Sequence, residues 1–112
     1  MTKTDKIDAD SAELMHALGY IYMRSGQKGR GLVFLLIANR IDPDDPGILR
    51  TLAAALIENG AGERALGALE RLVEIDSDPS AHLLRARAFW VLDDKPQAYR
   101  SFRDYLQLRG PQ

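Results

Sequence analysis

The chain has 112 residues, 15 basic against 16 acidic, with 46% hydrophobic and 28% charged side chains. That composition describes one ordinary globular domain with a single modest core, and its net charge of −1 gives no electrostatic reason to expect nucleic acid or an anionic membrane as partner. The lack of cysteine excludes disulfides, thiolate metal ligands and cysteine nucleophiles.

Residues 1–8 are polar, lack the apolar core of a signal peptide and are expected to be a disordered tail ahead of a domain spanning 9–109. A first helix is expected over 9–24 and a second over 28–41, with Gly26 suited to a left-handed cap between them. The second helix holds the longest apolar run, the seven residues Leu32 to Ala38, too short to cross a bilayer. Asp45-Pro46 places a capping carboxylate before a proline at the first helical position and opens a third helix over 46–58. Gly60 separates it from a fourth over 62–74. Asp78-Pro79 repeats the capping pattern before a fifth over 79–92, and Asp94-Lys95-Pro96 opens a sixth over 95–108. Gly110-Pro111 ends it, leaving 110–112 as a second tail. The compartment expected for such a chain is the cytoplasm.

These six helices repeat as pairs. Ile41 and Ile75, Asp42 and Asp76, and Gly26 and Gly60 are each 34 residues apart, the tetratricopeptide period. Units near 12–45, 46–78 and 79–110 follow. The first carries Leu18-Gly19-Tyr20-Ile21-Tyr22, with Gly31 at a later small position; the second has Ala53 and Ala65, and the third Ala98, Phe102 and Tyr105. Small residues sit where two helices cross closely and larger ones fill the space beside them. The third unit is one residue short, placed near its inter-helix turn, which leaves its first helix ambiguous by one position. The expected fold is all-α, three tetratricopeptide-type helix-turn-helix repeats in a short right-handed superhelix.

No catalytic constellation emerges. Glu13-x-x-His16 is one half of a carboxylate-bridged di-metal pattern without its second half, so no metal or other cofactor is expected. Gly26-Gln27-Lys28-Gly29-Arg30-Gly31 lacks both the spacing and the preceding strand of a phosphate loop. Asp42, Asp44 and Asp45 read as capping residues, not a calcium loop. Serines 11, 25, 77, 80 and 101 lie at caps or turns, and the two histidines belong to different units. The chain is expected not to be an enzyme.

A binding surface is expected instead. The first helix of each pair lines the concave face. Repeat positions facing that groove give Glu13, His16, Tyr20 and Met23 in unit one, and Gly47, Arg50, Ala54 and Ile57 in unit two. Unit three gives Ser80, Leu83, Arg87 and Trp90. Tyr20, Trp90, Arg50 and Arg87 are the side-chain types that dominate interface hot spots. Trp90 lies either in the groove or against the core beneath the last helix. The second helix is apolar nearly all round, and Val33, Phe34 and Ile37 exceed what the repeat requires. Either the N-terminal segment or another protein covers them.

Along the chain from about Glu13, several stretches resemble the small chaperones of type III secretion systems of the YscY (SctY) kind. They are Leu18-Gly19-Tyr20, Gly26-Gln27, Arg30, Asp42-Pro43, Asn59-Gly60-Ala61-Gly62-Glu63-Arg64-Ala65 and Ala98 to Leu108. The resemblance implies a cytosolic chaperone that binds a small early export substrate, YscX (SctX)-like, and engages the cytosolic domain of the export gate SctV. It implies a heterodimer or higher assembly, with the groove and the Leu32–Ala38 helix clasping the partner. His82 and Arg85 depart from the pattern, standing where an aromatic and a leucine are usual. Two other readings stand beside it: the translocator chaperones of the LcrH/SycD class, and a free-standing adaptor outside secretion.

Overall fold

Each helix pair closes through the same turn. At Gly26 (φ 83°), Gly60 (φ 76°) and Asp93 (φ 59°) the backbone enters the left-handed region. The next residue's amide reaches back to close the helix, Gln27 N to Tyr22 O at 2.9 Å, Ala61 N to Leu56 O at 2.8 Å and Asp94 N to Phe89 O at 2.9 Å. This is the double-bonded C-terminal turn that glycine favours and aspartate tolerates. The computed structural model describes residues 3–110, with side chains from residue 5.

The turns separate six helices: α1 (Lys3–Arg24), α2 (Lys28–Ile41), α3 (Pro46–Glu58), α4 (Gly62–Ile75), α5 (Ser80–Val91) and α6 (Lys95–Arg109). No strand occurs among the described residues. The fold is all-α, three helix-turn-helix repeats packed side by side into a body of 46 × 30 × 24 Å. Each helix packs on its pair partner and on the adjacent repeat, and α3 also touches α1 and α5 across the inner face. Asp45 caps α3 by accepting from Ile48 N (3.0 Å), and Asp94 caps α6 by accepting from Gln97 N (3.3 Å).

Two expectations are corrected. α1 begins at Lys3, not near residue 9, so most of the expected N-terminal tail is helix. Nothing in that stretch breaks a helix, Asp5 sits favourably in its first turn, and the packed part of α1 supplies the nucleus that short helices lack. Residues 1, 2, 111 and 112 lie outside the described residues. The missing residue of unit three falls at the entrance of α5, not at the inter-helix turn. Asp42 and Asp76 are 34 apart, but the equivalent buried pairs Ile48/Ala81 and Ala55/Ala88, and the turns Gly60/Asp93, are all 33 apart. His82 and Arg85, which depart from the family pattern, are half-buried, the Arg85 guanidinium lying 5.9 Å from the Phe89 ring centroid.

The core runs through the middle of the stack, built on Leu35, Leu49, Leu52, Leu56, Leu69 and Leu72 with small residues between them. α1 and α2 cross on two glycines. A Cβ on Gly19 would stand 2.6 Å from Leu35 Cγ and 3.1 Å from Gly31 O; one on Gly31 would stand 2.7 Å from Met23 Cγ and 2.9 Å from Gly19 O. Gly67, in contrast, has nothing within 4 Å of where its Cβ would be, although it lies mid-helix in α4.

Opposite stability changes are therefore expected from adding a methyl group at these positions. Gly31→Ala destabilises by about 1–3 kcal/mol through overpacking, whereas Gly67→Ala stabilises by about 0.5–1 kcal/mol through helix propensity. Urea unfolding of the two variants measures both, and equal midpoints would refute the close crossing.

Candidate functional site

The inner helices α1, α3 and α5 enclose a depression of about 390 Å³. Its lining draws on all three repeats: Tyr20, Met23 and Arg24 from α1, Arg50 to Ala55 and Glu58 from α3, and Ser80, Leu83 and Leu84 from α5. A second depression of about 260 Å³ continues from it between α5 and α6, lined by Leu83, Ala86, Arg87, Trp90, Ala98, Tyr99 and Phe102. Leu83 belongs to both. The inner face is thus one apolar groove with a leucine ridge across its middle.

Of the residues expected in the groove, Tyr20, Met23, Arg50, Ala54 and Leu83 line the first depression, and Leu83, Arg87 and Trp90 the second. Trp90 is 54% exposed, so it stands in the groove and does not cap the core. Tyr99 meets it edge-on (6.2 Å between centroids) and Lys95 lies 5.5 Å from its ring centroid. Ile57 is a correction: it is 6% exposed, belongs to the core and lines neither depression. The middle repeat is covered from both sides, and Glu58, one residue on, takes the groove position. Glu13 is exposed but lines neither depression.

Two polar groove residues are occupied within the chain. Thr51 Oγ1 gives its one proton to Gly47 O (3.0 Å), so His16 must donate from Nε2 in the 2.8 Å contact with Thr51 Oγ1. That bond ties α1 to α3 and assigns His16 a structural use; among the described residues no group of three or more histidines and carboxylates could hold a metal. Arg50 donates to Ser80 Oγ (3.1 Å), Asp76 Oδ2 (3.1 Å) and Asp78 Oδ2 (3.4 Å), fastening α3 to the entrance of α5. It therefore acts as a brace more than as a free hot spot. Asp78 in turn accepts from Ser80 N at 2.9 Å. That amide first, then the Ser80 hydroxyl and Arg50, hold the Asp78 carboxyl below its ordinary value.

The apolar helix α2 is a separate feature. Phe34 is half-buried, stacked on Tyr22 with centroids 5.3 Å apart, which accounts for one of the three surplus residues. Val33 (55% exposed) and Ile37 (42%) line neither part of the groove. The N-terminal segment does not fold over them as a loop; it continues α1. Sequence reasoning did not identify Tyr99 and Phe102 as groove residues, because in the repeat pattern the second helix of a pair lies outside the inner face. At the end of the stack no further repeat covers them.

Comparison with known proteins agrees with this geometry. Residues 37–88 match the tetratricopeptide repeat family model. The fold is that of tetratricopeptide repeat domains, which are protein-interaction modules. The second such domain of Spaghetti (RPAP3), solved with the HSP90 peptide SRMEEVD, has a TM-score of 0.82 at 17% identity over 96% of this chain and 99% of that one. The Arabidopsis OM64 domain gives 0.84 at 22% identity, over 94% and 88%. The N-terminal domain of stress-induced protein-1 from C. elegans gives 0.75 at 20%, over 90% and 86%. No curated protein sequence matches the chain.

Because Arg50 braces two repeats, Arg50→Ala should lower stability by about 1 kcal/mol before any ligand is considered. Asp78, depressed in the folded state, stabilises the fold above its unfolded value of about 4 and loses that contribution as pH falls through the folded value. Asp78→Asn should therefore flatten the loss of thermal stability below about pH 4, by less than about 1 kcal/mol because the side chain is 45% exposed. Thermal melts from pH 7 to pH 2 test this, and identical acid profiles would exclude it.

Proposed function

We propose that this chain is a non-catalytic chaperone of the bacterial cytoplasm whose groove holds an apolar segment of a small type III export substrate. The observation that carries the reading is the lining of the groove. Met23, Ala54, Leu83 and Leu84 form its floor, with the aromatic rings of Tyr20, Trp90 and Tyr99 at the margins. Such a surface favours side chains that would otherwise be exposed on an unassembled partner. The YscY-like stretches supply the substrate class, a YscX-like protein, and the SctV cytosolic domain as the place of delivery. Val33 and Ile37 offer a second contact for the same partner.

The acidic peptide carried by the Spaghetti domain is a poor fit to this groove. Arg50 already serves Asp76 and Asp78, and Glu58 lies in the same depression as Arg24. An acidic segment would meet a surface whose charges are balanced or in use. A translocator chaperone or an adaptor outside secretion would use the same groove, so the identity of the retained protein separates these readings.

Co-expression with a YscX-like protein should give a soluble complex that co-purifies. Ala54→Arg with Leu83→Glu should weaken it at least about tenfold while helicity is kept, because both changes place charge on the apolar floor. Copurification that survives both substitutions would reject the groove, and failure to retain any such substrate would reject the secretion reading.

A further inference from the structure

The two ends of the stack carry the same packing positions that join its repeats inside. In unit two, Ile48 (2% exposed) and Ala55 (0%) face the preceding repeat; in unit three, Ala81 (1%) and Ala88 (0%) do so. The corresponding residues of unit one are Leu14 and Ile21, 34 residues earlier, and they are 55% and 59% exposed. Ile7, also 55% exposed, continues their stripe two turns towards the N-terminus, at the seven-residue spacing that keeps one helix face. Terminal repeats ordinarily turn a polar face outward. This one is apolar.

The opposite end matches. α6 exposes Tyr99, Phe102 and Leu106, which stand 33 residues after Leu66, Leu69 and Val73 of α4. Leu69, fully buried, packs in the core that joins repeats two and three. Charge is complementary as well. Around Ile7 and Leu14, α1 carries Asp8, Asp10 and Glu13 against Lys6; α6 carries Lys95, Arg100, Arg103 and Arg109 against Asp104. Inside the chain the second helix of one repeat lies antiparallel to the first helix of the next. The same arrangement between molecules would set Leu106, Arg103 and Arg109 beside Ile7, Asp10 and Glu13.

We propose that α6 of one copy docks on the outer face of α1 of a second copy, continuing the repeat stack head to tail. The contact lies outside the floor of the groove and does not depend on what the groove binds. Because the two faces differ, association extends into open chains unless a rotation closes a ring.

Sedimentation velocity tests this with two double variants of exposed residues, Leu14→Lys/Ile21→Lys on the head face and Tyr99→Glu/Leu106→Glu on the tail face. The wild-type chain should sediment faster as concentration rises, and less so at high salt. Each variant alone should remain monomeric with unchanged helicity, and an equimolar mixture should form a 1:1 dimer that grows no further, since one intact face remains on each. Should a variant fail to fold, Asp10→Lys/Glu13→Lys and Arg103→Glu/Arg109→Glu replace it, each alone weakening association and the mixture restoring it. A wild-type chain that stays monomeric at all concentrations overturns the proposal. So does self-association blocked by one face only, which would mean like faces meeting, and so does a mixture that fails to pair.

Discussion

How closely the two helices of a repeat can cross governs the rest of this structure. In unit one the crossing is glycine on glycine, with no room for a methyl group on either side; in unit two it is Ala53 near Ala65, both fully buried. The crossing draws Leu35, Leu52, Leu56 and Leu69 into one continuous core and leaves the first helix of each pair facing inward. Crossing distance sets the stacking, and stacking sets the groove. Between repeats the same device recurs once, where a Cβ on Gly62 would stand 3.0 Å from Ala88 O.

The groove owes its apolar character to how its polar residues are used. Arg50 and His16 stand at repeat positions that commonly meet a ligand, yet each joins helices of different repeats. A partly exposed guanidinium with three acceptors on another helix has little left to offer a ligand. What remains on the floor is Met23, Ala54, Leu83 and Leu84, and recognition there rests on shape and burial. Leu83 divides the floor into two hollows, so a bound segment gains most by offering an apolar side chain to each.

Much of this was legible from residue spacing alone, because repeats convert one structural fact into several coincidences. Gly26 and Gly60 announced their turns; Asp93, which adopts the same conformation without being glycine, did not. That substitution obscured which part of unit three was short, and so the deletion was placed at the turn when it lies at the start of α5. Arg50 and Ile57 were misjudged for a related reason. A periodic pattern gives the direction of a side chain but not whether a neighbouring repeat already covers it or offers it a carboxylate. The extension of α1 to Lys3 escaped notice because polar residues without packing partners read alike as helix or tail.

The same logic separates inner from outer stacking faces. Inside the chain, the positions that meet a preceding repeat are narrow, Ala55, Ala81 and Ala88, and helices close on them to backbone contact. At the head of the stack the equivalents are broad, Leu14 and Ile21, and at the tail Tyr99 and Leu106 project where α4 has Leu66 and Val73. Helices meeting across such side chains stand farther apart and interlock through fewer atoms, so dispersion holds them less tightly per residue. Branched and aromatic side chains flanked by opposite charge suit a surface that must also remain hydrated when free. Inner faces built of alanine favour permanent order, and outer faces built of leucine, isoleucine and tyrosine favour a contact that can form and part.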